Sequence, residues 1–136
     1  MAFVSKKPLN EGVQAQLNRQ LIRTIVGLRT VSGGTHFISE LLTDTEQIML
    51  AKRLMVIFML AEGVSQYRIK KILNISSSTV ARTARLMDGG AFHHLTQMCR
   101  KKKSREILWN ELENIVRLGM PSMGNDRWKW LDELYK

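Results

Sequence analysis

Residues 65–85, SQYRIKKILNISSSTVARTAR, contain two short helical patterns separated by only a few polar residues. Each pattern opens with a serine, Ser65 in the first and Ser76 in the second, and an apolar residue precedes each serine. A serine in that position caps the start of a helix, and the apolar residue before it packs onto the first turns. Asn74, between the patterns, tolerates the left-handed conformation of a tight turn. The turn is then about three to four residues long, which predicts a helix-turn-helix over residues 65–88.

The second helix of this motif has two faces of different chemistry. With about 100° between successive residues, the face expected to pack on the core consists of Val80, Ala84 and Met87, with Thr83 at its edge. The opposite face consists of Ser78, Arg82 and Arg85. Arginine can donate two hydrogen bonds to guanine, serine can reach bases or phosphates, and the N-terminus of a helix attracts phosphate. The pattern therefore predicts a recognition helix that reads the major groove of DNA.

The overall charge agrees with a polyanionic partner. The 136 residues include 21 Lys and Arg against 12 Asp and Glu, a formal net charge of +9, which suits double-stranded DNA, RNA or an anionic membrane surface. An adaptor that binds RNA or protein through its basic helical surface is therefore the alternative hypothesis. For DNA binding, the side chains expected at the interface are Ser65, Gln66, Lys70, Lys71, Ser76, Ser77, Ser78, Thr79, Arg82 and Arg85.

The segment before the motif is also predicted to be helical. Apolar residues at helical spacing predict a helix over residues 9–28. A pair of glycines predicts a connection over residues 30–35, and a short apolar helix over residues 37–42 is expected to follow it. The sequence contains no convincing pair of β-strands, so the fold class is predicted to be all-α.

The next helix is opened by the pattern of a capping box, Thr43 with Glu46 three residues later. It is predicted to reach Glu62, with Gly63 as its stop. Residues 54–61, LMVIFMLA, are apolar on every side of this helix, and a helix of this kind is expected to be buried all round. A lone small domain rarely supplies that much cover, so the pattern predicts a homodimer.

The remainder of the chain, residues 92–136, is predicted to be a basic helical extension of the same domain, so that residues 1–136 form one all-helical domain. Ser104 is expected to cap a helix that reaches Leu118, and Asp126 is expected to cap a last short helix. The basic run RKKK has two open interpretations, a solvated face or a contact to phosphates beside a DNA site. Core or interface packing is expected for the three tryptophans, Trp109, Trp128 and Trp130.

Other functional classes find little support in the sequence. The longest apolar run is much shorter than the roughly 20 residues of a membrane span, and the N-terminus lacks the apolar core of a signal peptide. A single cysteine excludes an intrachain disulfide and suits the reducing cytoplasm. The spacing of His93, His94 and Cys99 is not that of a zinc site. No catalytic set is recognisable, so neither an enzymatic activity nor a metal or cofactor is predicted.

Two adjacent segments, LLTDTEQIMLAKRL and SQYRIKKILNISSSTVARTAR, resemble the Trp repressor superfamily. The resemblance covers Leu41–Met87. It rests on the LLT-x-x-E helix start, an arginine ten residues after the threonine, and a helix-turn-helix that ends in T-[IV]-x-R. It implies an all-helical, intertwined homodimer with one DNA-reading head per subunit, acting as a transcriptional repressor or other regulator.

The resemblance also implies an effector pocket at Thr43, Arg53 and Arg82, whose positions contact tryptophan in the members that bind it. Those members have glycine and serine where this chain has Thr83 and Leu86. The larger Thr83 occupies space that the ligand uses, and Leu86 offers no hydrogen bond to its amino group. These two residues predict that tryptophan is not the effector, and the sequence leaves open whether another small molecule binds.

Overall fold

The computed structural model describes residues 7–119, including every side chain except those of residues 102, 104 and 115–119. Over this range the chain is all-helical, as predicted, with no β-strand. The helices are α1 (Glu11–Val26), α2 (Val31–Leu41), α3 (Asp44–Ala61), α4 (Gln66–Leu73), α5 (Ser77–Asp88), α6 (His93–Arg100) and α7 (Lys102–Gly119). They fall into two compact units that divide between Ala51 and Lys52. Within the described range, no helix is long and apolar enough to cross a membrane.

The first helix confirms the prediction over residues 9–28. It begins at Glu11 because Asn10 caps it, accepting a hydrogen bond from the backbone N–H of Gly12 at 2.8 Å. Neither α1 nor α2 contains a buried residue. The apolar stripe of α1 is about half exposed, with Leu17 at 53% and Leu21 at 45%. In a single chain, α1 therefore presents an uncovered apolar face.

The connection predicted over residues 30–35 is wrong, because α2 begins there. Thr30 is the N-cap of α2, and its Oγ1 accepts a hydrogen bond from the backbone N–H of Gly33 at 3.0 Å. A Cβ atom on Gly33 would lie only 3.1 Å from Thr30 Oγ1. The glycine thus lets the threonine close on the first turn of the helix instead of interrupting it.

Both ends of α3 confirm the predicted limits. At its start, Thr43 N donates to Glu46 Oε2 at 2.9 Å and Glu46 N donates to Thr43 Oγ1 at 3.2 Å, a reciprocal capping box. At its end, Gly63 has a φ of 83°, and the backbone N–H of Val64 donates to Met59 O at 3.0 Å. This left-handed glycine with its long backward hydrogen bond is a Schellman motif.

Residues 54–61 of α3 are not covered on every side within one chain, although their sequence predicted all-round burial. Val56, Ile57 and Met59 are buried, whereas Leu54 is 43% exposed. The difference arises because the elements of a single chain cover one side of the helix.

The core of the second unit joins the helix-turn-helix to the C-terminal helices. Met59, Ile69 and Val80, from α3, α4 and α5, are fully buried, and Leu112 of α7 lies in the same cluster. Trp109 packs against this cluster, which confirms the packing role expected for it. The other predictions for the C-terminal end concern Asp126, Trp128 and Trp130, which lie outside the described residues.

The start predicted for the C-terminal helix at Ser104 is wrong. Helix α7 begins at Lys102, and the backbone N–H of Arg105 donates to Lys101 O at 3.0 Å. That bond spans four residues, as the first hydrogen bond of an α-helix does. Lys101 therefore occupies the capping position, and the second half of the basic run belongs to the helix.

A buried carboxylate connects the end of α3 to α6 and α7. The Glu62 side chain is only 6% exposed and forms an ion pair with Arg105, whose Nη2 lies 3.1 Å from Glu62 Oε2. The thiol of Cys99 donates to Glu62 Oε1 at 3.4 Å. Burial of Cys99, followed by the hydrogen bond to Glu62 and the charge of Glu62, raises the pKa of this thiol to about 11, against a smaller opposing effect of Arg105.

The raised pKa predicts that Cys99 reacts slowly with alkylating reagents. Since the thiolate is the nucleophile, a thiol whose pKa is about 11 instead of 9.0 contains about a hundredfold less thiolate at pH 8 and therefore reacts more slowly. The measurement is the rate of iodoacetamide labelling in native protein and in protein unfolded by urea. Glu62→Gln removes the neighbouring charge and is expected to accelerate labelling of native protein. Equal rates in native and unfolded protein would contradict this account.

Candidate nucleic-acid interface

The first helix of the helix-turn-helix is fixed at both ends by the residues that its sequence predicted. Ser65 Oγ accepts a hydrogen bond from the backbone N–H of Arg68 at 3.3 Å and caps α4. The preceding Val64 is buried with Ile69 in the core cluster, as a hydrophobic staple requires. Asn74 ends α4 in the left-handed conformation, with φ 51° and ψ 59°. Lys52 Nζ donates to Asn74 O at 3.4 Å and so ties this turn to α3.

The second helix starts after a turn of three residues, Asn74 to Ser76, which confirms the predicted motif. Ser76 Oγ accepts a hydrogen bond from the backbone N–H of Thr79 at 3.2 Å. The same oxygen lies 3.1 Å from Ser78 Oγ and 2.8 Å from Thr79 Oγ1. One turn further on, Val80 is fully buried. The cap and the buried valine together set the direction and the rotation of α5.

We expect Ser76→Ala to lower the free energy of unfolding by about 1 kcal/mol, because it removes the N-cap acceptor and leaves the backbone N–H of Thr79 without its partner. Urea denaturation measures this change. Ser77→Ala is the matched control, since Ser77 is the exposed first residue of α5 and the structure gives its side chain no hydrogen bond. A loss of the same size in both variants would show that Ser76 does not act as a cap.

The two predicted faces of α5 lie as expected. Ser78, Arg82 and Arg85 are exposed, whereas Val80 is buried and Ala84 and Met87 are partly buried. Thr83, at the edge, is partly buried, and its Oγ1 donates to Thr79 O at 3.0 Å. The outward face therefore combines a hydroxyl near the helix N-terminus with two guanidinium groups further along. Such a face can hydrogen-bond to phosphates and to base edges.

The polar residues predicted at the start of α4 and around Ser76 also lie at the surface. Ser65, Gln66, Ser77 and Thr79 are exposed. Of the two lysines on α4, Lys70 is partly buried and Lys71 is exposed, with its Nζ 5.5 Å from the centre of the Tyr67 ring. The cation–π contact holds Lys71 at the surface of α4, where its ammonium group can still meet a phosphate.

The residues implied as an effector pocket have separate local roles. Thr43 is engaged in the capping box of α3, since its hydroxyl accepts from Glu46 N. Arg53 and Arg82 are both exposed. Leu86, on α5 one turn after Arg82, is 51% exposed and offers an apolar surface.

The histidines and the cysteine considered for a metal have other contacts. The rings of His93 and His94 pack edge to face, with 5.9 Å between their centres. Cys99 is buried against Glu62. Among the residues that the structure describes, no group of three or more potential ligands is close enough to hold a metal ion.

The ion pair of Glu62 with Arg105 was missed by the sequence reasoning. The partners are 43 residues apart, and each belongs to a local pattern with another interpretation: Glu62 ends a helix, and Arg105 extends a basic run. Because Arg105 is paired with Glu62, its positive charge is already partly neutralised within the protein. The signal that could have found the pair is the position of Glu62 at the end of an apolar helix, because a carboxylate buried there needs a counter-charge.

A comparison with protein families gives a match to the family model described as Trp repressor protein, over residues 16–106. The match extends beyond Leu41–Met87 in both directions, into α1 and as far as the start of α7. Neither a curated protein nor a solved structure matches the chain significantly. Because the family model covers more than half of the chain and the helix-turn-helix has the expected geometry, the chain belongs to the Trp repressor protein family, whose members are DNA-binding regulators and not enzymes.

Proposed function

We propose that this protein is a sequence-specific transcriptional regulator that reads the major groove of double-stranded DNA with α5. The observation that carries the proposal is the outward face of α5, on which Ser78, Arg82 and Arg85 are exposed together. The capped N-terminus and the buried Val80 fix the orientation of α5 on the core, and this keeps the face with Ser78, Arg82 and Arg85 outward. A recognition helix needs such a rigid base, because a bidentate contact to a base tolerates little displacement.

In this proposal the interface residues divide into two groups. Arg82 and Arg85 are the candidates for base contacts, because arginine can donate two hydrogen bonds to guanine O6 and N7. The remaining residues are assigned to phosphates, where hydroxyl groups, helix N-termini and lysines fix the register of the protein on the duplex. They are Ser65, Gln66, Lys70, Lys71, Ser76, Ser77, Ser78 and Thr79.

The proposed regulator acts as a homodimer. Apolar side chains of α1 and of α3 as far as Leu54 are exposed in one chain, including Leu21 at 45%, Ile48 at 56% and Leu54 at 43%. Exposed apolar area on this scale is a mark of a protein interface, since a soluble monomer rarely maintains it. A second copy of the chain carries the same faces and can cover them reciprocally.

We expect free tryptophan to leave DNA binding unchanged. Thr83 already donates its hydroxyl to Thr79 O, and Leu86 has no polar atom for the ammonium group of the ligand. A desolvated ammonium without a partner costs several kcal/mol, comparable to the whole affinity of a weak ligand. The measurements are calorimetry with L-tryptophan, and DNA binding with and without it. The double variant Thr83→Gly, Leu86→Ser is the matched comparison, and micromolar binding by the unmodified protein would show this expectation to be wrong.

The test of the proposed function is selection from a pool of random DNA duplexes with the purified protein. A dimer with two reading heads should enrich a palindromic sequence whose half-sites lie about one helical turn, roughly 34 Å, apart. The same preparation is examined for RNA that co-purifies with it. If the selection enriches no DNA sequence and RNA co-purifies with the protein, the RNA-binding adaptor is favoured.

A further inference from the structure

A cleft of about 290 Å³ lies beside the C-terminal end of the recognition helix. Three segments of the second unit line it: the end of α3, the end of α5 with the turn that follows, and α6. None of the residues considered for a tryptophan pocket belongs to its lining. The cleft is therefore a different site from the effector pocket of the family.

The two walls of the cleft differ in chemistry. One wall is apolar and contains Leu60, Met87 and Ala91. The other wall is polar and contains His93, Thr96 and Arg100, which lie on one stripe of α6 because their spacing is three and four residues. Thr96 Oγ1 donates to His93 O at 2.9 Å, so the other side-chain donors among these lining residues are the imidazole of His93 and the guanidinium of Arg100.

We propose that this cleft is an effector site for a small organic carboxylate with a compact apolar body. The Arg100 guanidinium can donate two parallel hydrogen bonds to a carboxylate, and His93 can donate a further one. The facing apolar wall suits a ring or a short alkyl chain. The volume of the cleft, just below the usual range for ligand pockets, limits the ligand to a small molecule.

A ligand in this cleft touches the recognition helix without touching DNA. Met87 belongs to the core-facing side of α5, about 180° around the helix from Ser78, so the cleft lies on the side of α5 opposite its outward face. The same ligand also contacts Leu60 at the end of α3. It can therefore alter the orientation of α5 on the core. The resulting effect on DNA binding rests on the proposed function, whereas the binding of the carboxylate to the cleft does not.

Binding is tested with sodium benzoate as the probe, by following the amide NMR signals of the full-length protein. We expect benzoate to shift the signals of Met87, Ala91 and Thr96 with a dissociation constant in the millimolar range, and neutral benzamide to bind at least fivefold more weakly. Arg100→Gln should weaken benzoate binding at least fivefold. Lys103→Gln is the matched control, because Lys103 is an exposed cation of the same basic run that does not line the cleft.

Two outcomes of this titration overturn the site directly: no shifts at 20 mM benzoate, or equal affinity for benzoate and benzamide. An equal loss of affinity in Arg100→Gln and Lys103→Gln also overturns it, because it shows a general attraction of anions to a basic surface. The effector role is tested separately, by measuring DNA affinity with 20 mM sodium benzoate and with 20 mM sodium chloride. A change of threefold or more that Arg100→Gln abolishes supports the effector role, and unchanged affinity overturns it. Because the titration contains no DNA, its result is independent of the proposed DNA-binding function.

Discussion

Replacing Arg82 or Arg85 by alanine is expected to weaken binding to the selected DNA site by about 1–3 kcal/mol, which is about fivefold to more than a hundredfold. Both guanidinium groups are on the exposed face of α5. If one of them donates a pair of hydrogen bonds to a guanine, its loss leaves the acceptors of that base unsatisfied by the protein. The preference for guanine at that one position should relax in a repeated selection, while the rest of the site is retained.

The control for this experiment is Lys103→Ala, which removes an exposed positive charge outside the helix-turn-helix. Affinity is measured for the selected site and for a duplex of random sequence at the same salt concentration. A phosphate contact contributes to both affinities about equally, whereas a base contact contributes only to the first. Equal weakening on both duplexes in both arginine variants would contradict the assignment of these residues to base contacts.

Leu21→Glu is expected to raise the dissociation constant of the dimer at least a thousandfold, about 4 kcal/mol. In a two-fold interface each substitution occurs twice, and each places a carboxylate among apolar side chains, where an unpaired charge costs several kcal/mol. Leu21 is on the apolar stripe of α1 and is 45% exposed in a single chain. Sedimentation equilibrium measures the change, and binding to a palindromic site should fall with it.

Gln16→Glu is the matched control for the dimer, because it makes the same change of charge on α1, about 120° around the helix from the centre of the apolar stripe. Circular dichroism of both variants reports whether the helices persist. A Leu21→Glu protein that remains dimeric at low micromolar concentration, with the affinity of the control, would place the interface elsewhere.

The helix-turn-helix could be predicted from the sequence because its determinants are local. Ser65 and Ser76 each cap a helix within three residues, and Asn74 closes the turn through its own backbone conformation. The helical periodicity also predicted which side of α5 faces the core, because it places Val80, Ala84 and Met87 on one side. These local signals agree with one another, and agreement across levels is what makes a prediction of this kind succeed.

Other features could not be predicted because they depend on distant contacts or on competing local signals. Gly33 reads as a break in a helix, but here it lies in the first turn of α2, where the side chain of Thr30 needs the space. Ser104 is a good cap by composition, yet Lys101 occupies that position in α7. Phe92 adopts a left-handed conformation with φ 65° before α6, which an aromatic residue seldom does and which no sequence rule anticipates.

The effector question shows how a family resemblance and the residues themselves supply different information. The resemblance names Thr43, Arg53 and Arg82 as pocket positions, whereas Thr83 and Leu86 determine whether tryptophan fits there. Neither the resemblance nor these residues predicted the cleft beside α6. It depends on the turn and helix of residues 89–100, where the only prediction from the sequence was a helical extension from residue 92.

The most direct test of the DNA-reading function is the ratio of two affinities at one salt concentration: that for the selected palindrome and that for a duplex of the same composition in scrambled order. Non-specific attraction to phosphates contributes to both, so the ratio isolates the reading of sequence by α5. We predict a ratio of about a thousandfold or more, as is usual for specific regulators, and a reduction of at least tenfold in the ratio when Arg82 and Arg85 are both replaced by alanine. A ratio near one for the unmodified protein would contradict the account, because it would mean that the basic surface binds polyanions without reading their sequence.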